Sequence, residues 1–407
     1  ELKKLREKIL AGKAASEEES FEKLLMDFSS VFELILKDES EFNNVDVLPE
    51  ITESIKAAFQ SQTASDLSAK IDPDIYYQFG EKLLELAAKD DYGGIQQLIH
   101  QYLNLFRLPD FLRRIYKKRK WDDLIYRLIK KSSFTTEALY NQRKEIYPDK
   151  TLFKVIRGKS ETNYSWSETE EHVLSYKRAF YGLMNKEKVL GEKIAFLMDN
   201  SVQMAMLDIA CLTSGIINIM IPANSVPQHI LFILNQTEVP VAVLSDEKQL
   251  AKIKSIKTEL THLKKVVLLQ GKSAEEWVYS FREFLTFGNE EADKMINDSL
   301  IKINTDSLAT VMYTSGTTGE PKGIMFSHMN IVYKRFCRAM ALPLIGSGDK
   351  FLAYLPLYHT FGRWLEMMGS IFWGAEYSFM ENPSVDTMIS NMGQAKPTVF
   401  ISIPKKW

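Results

Sequence analysis

The sequence predicts an α/β protein, with helix-covered, mainly parallel sheets over residues 136–407 and an all-helical accessory domain over residues 1–135. Three observations lead there. From Leu152 onward, short apolar runs alternate with amphipathic segments at helical spacing. Residues 1–135 hold only Gly12, Gly80, Gly93 and Gly94 of the 19 glycines, and almost no β-type runs. A chain of 407 residues with 45% hydrophobic and 11% aromatic content can bury sizeable cores and divide into two or three domains.

The elements follow in chain order. Phe21, Leu24, Leu25, Phe28, Val31, Phe32 and Ile35 recur at helical spacing, as do Trp121, Leu124, Ile125, Leu128 and Ile129. Breaks at Asn43-Asn44, Asp72-Pro73, Gly93-Gly94 and Pro109-Asp110 divide this region into roughly five or six helices. Predicted strands are Leu152–Ile156, Ile194–Met198, Ile216–Met220, Val241–Leu244, Val266–Leu269, Ala309–Tyr313, Phe351–Leu355, Tyr377–Met380 and Val399–Ser402. Between the first two lies a helix presenting Val173, Tyr176, Phe180 and Leu183. The most apolar window, Met204 to Ile221, contains Asp208 and a Thr213-Ser214-Gly215 break, so it reads as a buried helix and a strand.

The run Tyr313-Thr314-Ser315-Gly316-Thr317-Thr318-Gly319-Glu320-Pro321-Lys322-Gly323 carries the chemistry. It follows a predicted strand, precedes an amphipathic segment starting near Ser327, and lies at the carboxyl end of its strand, where open α/β sheets bind ligands. Strand, loop and helix is an order that aims backbone N–H groups at phosphate. Glycines permit the tight backbone, the hydroxyls of Thr314, Ser315, Thr317 and Thr318 add donors, and Lys322 brings positive charge. A P-loop NTPase is excluded, because Pro321 precedes the lysine and Gly323 follows it where Gly and Ser/Thr are required.

This run resembles the phosphate-binding motif of the adenylate-forming superfamily, which contains acyl-CoA synthetases, luciferases and peptide-synthetase adenylation domains. Tyr354-Leu355-Pro356-Leu357-Tyr358-His359-Thr360-Phe361 is similar to that family's next motif, in the form found in long-chain acyl-CoA synthetases. Tyr147-Pro148-Asp149-Lys150-Thr151 is similar to the segment that opens the family's large domain. The resemblance covers Thr136 to Trp407 and says nothing about the helical region. One departure is visible: Gly362-Arg363 stands where the long-chain branch carries Glu-Arg.

The resemblance implies ATP-dependent activation of a carboxylic acid, with a long-chain fatty acid as the leading substrate class. The acid becomes an acyl-adenylate and then a thioester of coenzyme A. It implies ATP as substrate, Mg2+ as cofactor and coenzyme A as co-substrate. Thr314, Ser315, Gly316, Thr317, Thr318, Gly319 and Lys322 would meet the phosphates, with Thr314 also a metal ligand. Catalytic roles fall to Lys322 and to His359, which the family places near the carboxylate. By itself His359, beside aromatics, also reads as a packed side chain or helix-start donor. Tyr358, Phe361 and Trp364 read equally as core or as pocket lining. The family's later motifs, an acidic magnesium loop, a ribose-binding aspartate and a C-terminal lysine, are expected beyond Trp407. On that reading the 407 residues are a fragment, inactive alone.

Composition narrows the partners. A net charge of −2 argues against a nucleic-acid binder working by bulk electrostatics. Cys211 and Cys337 are too few and too far apart for a disulfide scaffold or zinc site, which fits a reducing cytoplasm. Residues 111–131 carry Arg113, Arg114, Lys117, Lys118, Arg119, Lys120, Arg127, Lys130 and Lys131 against Asp122 and Asp123, on a predicted amphipathic helix. Such a helix is either a solvated basic face or a contact with an anionic membrane surface. Two other functions stay open from sequence: acyl transfer to a carrier-protein thiol, and a non-catalytic nucleotide-binding or interaction module.

Overall fold

A computed structural model describes residues 73–89, 93–116, 120–189, 193–314, 319–381 and 385–402. The helical periodicity read over Phe21–Ile35 and the break at Asn43-Asn44 lie outside them. The chain forms two compact units, residues 1–134 with 332–346, and residues 135–331 with 347–407. The division expected at 135/136 lies beside the first of these boundaries, while residues 332–346 group with the helical unit.

In the first unit, helices α1 (Pro73–Lys89), α2 (Gly93–Asn104) and α3 (Pro109–Ile115) start at the Pro and Gly breaks seen in the sequence, while α4 (Lys120–Ser132) starts where no such break was read. Proline suits a first helical turn, because that N–H has no partner there anyway. The core is aromatic: Tyr76 stacks on Tyr102 at 4.0 Å, and Phe106 meets Trp121 at 5.5 Å. The predicted helix over 111–131 is two helices, α3 and α4, with residues 117–119 outside the described set.

The second unit opens with helix α5 (Thr136–Ile146), strands β1 (Thr151–Arg157) and β2 (Ser160–Ser165), and helix α6 (Trp166–Lys186). Then come β3 (Lys193–Leu197), α7 (Val202–Leu212), β4 (Ile217–Ile221), α8 (Pro227–Thr237), β5 (Val241–Leu244), α9 (Glu247–Ile256), β6 (Lys265–Leu268) and β7 (Val278–Ser280). Helices α10 (Phe281–Leu285) and α11 (Glu290–Leu300) lead to β8 (Leu308–Thr314) and β9 (Lys322–Ser327). After helix α12 (His328–Ala341) come β10 (Lys350–Ala353), a π-helix (Phe361–Met367), α13 (Met368–Trp373), β11 (Glu376–Met380) and α14 (Val385–Ala395).

Two sheets result. The larger has the order β7-β6-β5-β3-β4-β8-β9, parallel throughout except for β9. The smaller has the order β10-β11-β1-β2, parallel except for β2. Central strands are buried runs such as Val241–Leu244, covered by helices whose apolar residues, Ile230, Ile233, Leu234, Leu250 and Ile253 among them, complete the core. Mainly parallel, helix-covered sheets are the predicted class.

Two local expectations are corrected. The segment after the phosphate run is a strand, β9, pairing antiparallel with β8, so the run joins two strands and no helix N-terminus follows it directly. Residues Ile324 to Phe326 suit an extended chain, and pairing satisfies backbone groups that β8 would otherwise leave open at the sheet edge. Helix α12 begins only at His328, where the Ser327 hydroxyl accepts from Asn330 N–H (3.2 Å) and Asn330 Oδ1 accepts from Ser327 N–H (3.0 Å). The predicted strand Val399–Ser402 is a single bridge, Val399 to Phe351.

Candidate functional site

Strand β8 carries Thr310 in its middle and Thr314 at its carboxyl end; β9 starts at Lys322. In the antiparallel register Thr314 stands directly opposite Lys322, and Tyr313 opposite Gly323. Hydroxyl and ammonium are thus neighbours at the base of the loop, both exposed. Ser315, Gly316, Thr317 and Thr318 lie outside the described residues. Gly319 has φ +94°, a left-handed backbone that a side chain would strain. Below the loop, buried Tyr313 fixes the strand by donating its O–H to Gln236 Oε1 at 2.6 Å.

His359 stands elsewhere in the chain, after β10 and a turn at Pro356. Its N–H donates to Pro356 O (3.0 Å), its carbonyl accepts from Arg363 N–H (3.0 Å), and its exposed ring stacks on Phe361 at 5.8 Å. The Phe361 N–H donates to its Nδ1 at 3.4 Å. Among the described residues no hydrogen bond joins His359 to Thr314 or Lys322.

The connection between these two motifs runs through the π-helix, whose first turns face the larger sheet. Arg363 is fully buried: its Nε donates to Asp208 Oδ2 (2.8 Å) and its Nη2 to Asp208 Oδ1 (2.6 Å). The same guanidinium donates to Thr310 Oγ1 (2.9 Å) and Asn218 Oδ1 (2.9 Å), while Asn218 Nδ2 donates back to Asp208. Every polar group of this cluster has a partner, the condition under which a buried ion pair is tolerated. The next residue, Trp364, packs at a tilt of 54° against Phe326 of β9, ring centroids 5.4 Å apart, and the Arg363 guanidinium lies 4.3 Å from the Trp364 ring. Thr310 and Phe326 are a directly opposed pair, so the π-helix grips both strands of the hairpin at one level. Thr310 precedes Thr314 by four residues, about 13 Å along a strand.

The smaller sheet is held by the same element. Tyr377 on β11 donates to Glu366 Oε2 at 3.1 Å, and burial pushes the Glu366 carboxyl well above the usual carboxylate range. Asn200, just past the carboxyl end of β3, clamps the motif's turn: its Nδ2 donates to Leu355 O (2.9 Å), and its Oδ1 accepts from Leu357 N–H (2.8 Å).

Sequence reasoning missed Asn200, Asn218 and Thr310 as supports of the site, and noted Asp208 only as a charge in an apolar window. That oddity was the available signal, since a buried carboxylate requires a partner. Trp364 resolves as packing, with only 6% of its surface exposed, whereas Phe361 is 47% exposed. Among the described residues no group of three or more His, Cys, Asp or Glu is placed to hold a metal.

A family model for the AMP-binding enzyme matches residues 141–407. A long-chain-fatty-acid–CoA ligase of Macaca fascicularis is 25% identical over 280 residues, 67% of this chain and 38% of that protein. A second such ligase, from Rattus norvegicus, is 27% identical over 223 residues, 53% of this chain and 33% of its own length. The chain therefore spans well under half of these relatives. Among solved structures, a protein assigned as a long-chain-fatty-acid CoA ligase from Rhodopseudomonas palustris gives a TM-score of 0.55 at 18% identity, over 67% of this chain and 64% of that one. O-succinylbenzoate coenzyme A synthetase from Bacillus subtilis, in complex with AMP, gives 0.51 at 19% identity over 66% and 61%. These structural matches establish a shared fold.

Proposed function

The chain belongs to the AMP-binding enzyme family, and from that premise we propose that the protein activates a long-chain fatty acid with ATP and passes the acyl group to coenzyme A. In the first step a carboxylate oxygen attacks the α-phosphorus of ATP. The bond to the β-phosphate bridging oxygen breaks, and pyrophosphate departs. In the second, the thiol sulfur attacks the acyl carbonyl, its proton is released, and AMP leaves with the carboxylate's former oxygen.

The observation that carries this reading is the Thr314–Lys322 pair at the base of the loop. A negative nucleophile must approach a triphosphate, so fixed positive charge and donors aimed at the departing phosphates do most of the work. Lys322 brings that charge on a strand, whose backbone holds it more firmly than a free loop would. His359 is exposed on its tethered turn, and a ring N–H there would serve as donor to the carboxylate. Mg2+ takes oxygen ligands and keeps several waters, so the exposed Thr314 hydroxyl suits one position of a nucleotide-borne ion. Such an ion would neutralise charge on pyrophosphate. The fatty-acid assignment and the choice of coenzyme A as thiol draw on the names of the relatives and on the form of the 354–361 motif.

Pyrophosphate release by the full-length protein tests this. Release should require a long-chain fatty acid, turn over only with coenzyme A, and fall by roughly 100- to 1,000-fold in Lys322→Ala. Release unaffected by that substitution, or driven equally by acetate and benzoate, contradicts the proposal.

For residues 111–131 we infer a solvated basic face. Arg127 is committed to Glu81 (2.5 Å) and Asp123 (2.9 Å), and Arg113 to Asp110 (3.3 Å), across a helical surface whose apolar side is already buried. No helix among the described residues is long and apolar enough to cross a membrane.

A further inference from the structure

Four contacts converge on residues 355–364, the stretch that carries His359. Asn200 holds the backbone of Leu355 and Leu357 from the end of β3. Arg363 reaches Asp208 on α7, Asn218 on β4 and Thr310 on β8. Trp364 packs on Phe326 of β9. Gly362 closes the arrangement: a Cβ there would lie 2.5 Å from the Leu355 carbonyl oxygen and nearer still to that of Pro356, so the π-helix sits directly against the turn. A π-helix is a rare backbone form that recurs at functional sites. Here it sets Arg363 and Trp364, neighbours in sequence, onto the two opposed residues Thr310 and Phe326.

We infer that Asn200, Arg363 and Trp364 are positioning residues that lock the His359 turn and the Lys322 hairpin into one piece, so that the donor for the carboxylate and the charge for the phosphates keep a fixed separation. The inference rests on the proposed activation reaction. Its physical basis is that an in-line attack tolerates little misplacement, and a shift of about 1 Å can cost about 100-fold in rate. None of the three side chains needs to touch substrate; each acts through the backbone it holds.

The test is a set of mutant cycles in the full-length protein. Asn200→Ala and Trp364→Ala should each lower kcat for acyl-adenylate formation about 10- to 100-fold with KM for ATP within about twofold. Introduced into His359→Ala they should cost nothing further, because the residue they position is gone. Trp364→Phe, which keeps a ring between Arg363 and Phe326, should recover most of the loss. Losses that multiply with that of His359→Ala, or no loss at all, overturn the inference. Hydrogen exchange supplies a readout independent of activity. In Asn200→Ala the Leu357 and His359 amides should exchange more than about 10-fold faster while Ala195 of β3 and Val311 of β8 stay protected. Unchanged exchange at Leu357 refutes the tether. If the unmodified protein activates no carboxylate, the activation reading fails while the exchange result still decides whether the turn is held.

Discussion

At the scale of single residues, Gly362 shows how chemistry and packing compete for one position. The resemblance led to an expected glutamate there, and no property of the sequence explained glycine. The backbone does: Leu355 and Pro356 carbonyls occupy the space a Cβ would need. Gly362→Ala should therefore lower stability by roughly 1–3 kcal/mol, read from urea unfolding, because backbone cannot move aside as a flexible side chain can. A stability unchanged within a few tenths would mean the turn and the π-helix are not in contact. Asp208 and Arg363 tell the opposite story. Asp208 stood out in the sequence as a charge in an apolar window and Arg363 only as part of a motif, 155 positions apart, so only the fold reveals that they answer one another. That Thr314 and Lys322 lie close together was legible, because the loop that separates them is short and compositionally unusual.

At the scale of elements, the buried strands were legible and most edges were not. Strands β3, β4, β5, β6 and β8 are mostly apolar and buried, as strands of a helix-covered parallel sheet are, with Asn218 of β4 and Thr310 of β8 as the polar exceptions that meet Arg363. The three strands the sequence reading missed, β2, β7 and β9, all lie at sheet edges, where one side faces solvent and polar residues such as Ser160, Glu161 and Lys322 are tolerated. The start of α12 carries a prediction of its own. Thr136 donates its hydroxyl to Leu212 O (2.6 Å), so the 2.7 Å contact with His328 requires a proton on the histidine Nδ1 and leaves Nε2 bare in the neutral ring. Burial pushes His328 down to about 4, from an ordinary value of 6.5. Between those values the unfolded chain binds a proton that the folded chain refuses, so stability falls as pH drops through that window. From pH 7 to pH 5 the loss assignable to His328 is about 2 kcal/mol. In His328→Gln, urea unfolding at the two pH values should differ by that much less; an unchanged difference would contradict a buried neutral ring.

At the scale of the whole molecule, the family match over residues 141–407 lies within the α/β region the sequence outlined, and the helical unit takes no part in it beyond residues 332–346. That unit's basic surface is where the sequence left two readings open, because charge spacing looks the same on a packed helix and on a membrane-bound one. Reversing Arg113, Arg114, Lys130 and Lys131 to glutamate should leave partitioning onto anionic vesicles unchanged at about 0.15 M salt, where screening acts within about 8 Å. A several-fold drop would reinstate the membrane contact. In the proposed reaction a carboxylate attacks the α-phosphorus of a nucleotide held at the Thr314–Lys322 hairpin. The most direct test supplies the full-length protein with ATP, coenzyme A and a long-chain fatty acid labelled with 18O in its carboxyl group, then weighs the AMP. One 18O atom in each AMP is the predicted result, and AMP free of label, or ADP in its place, would contradict it.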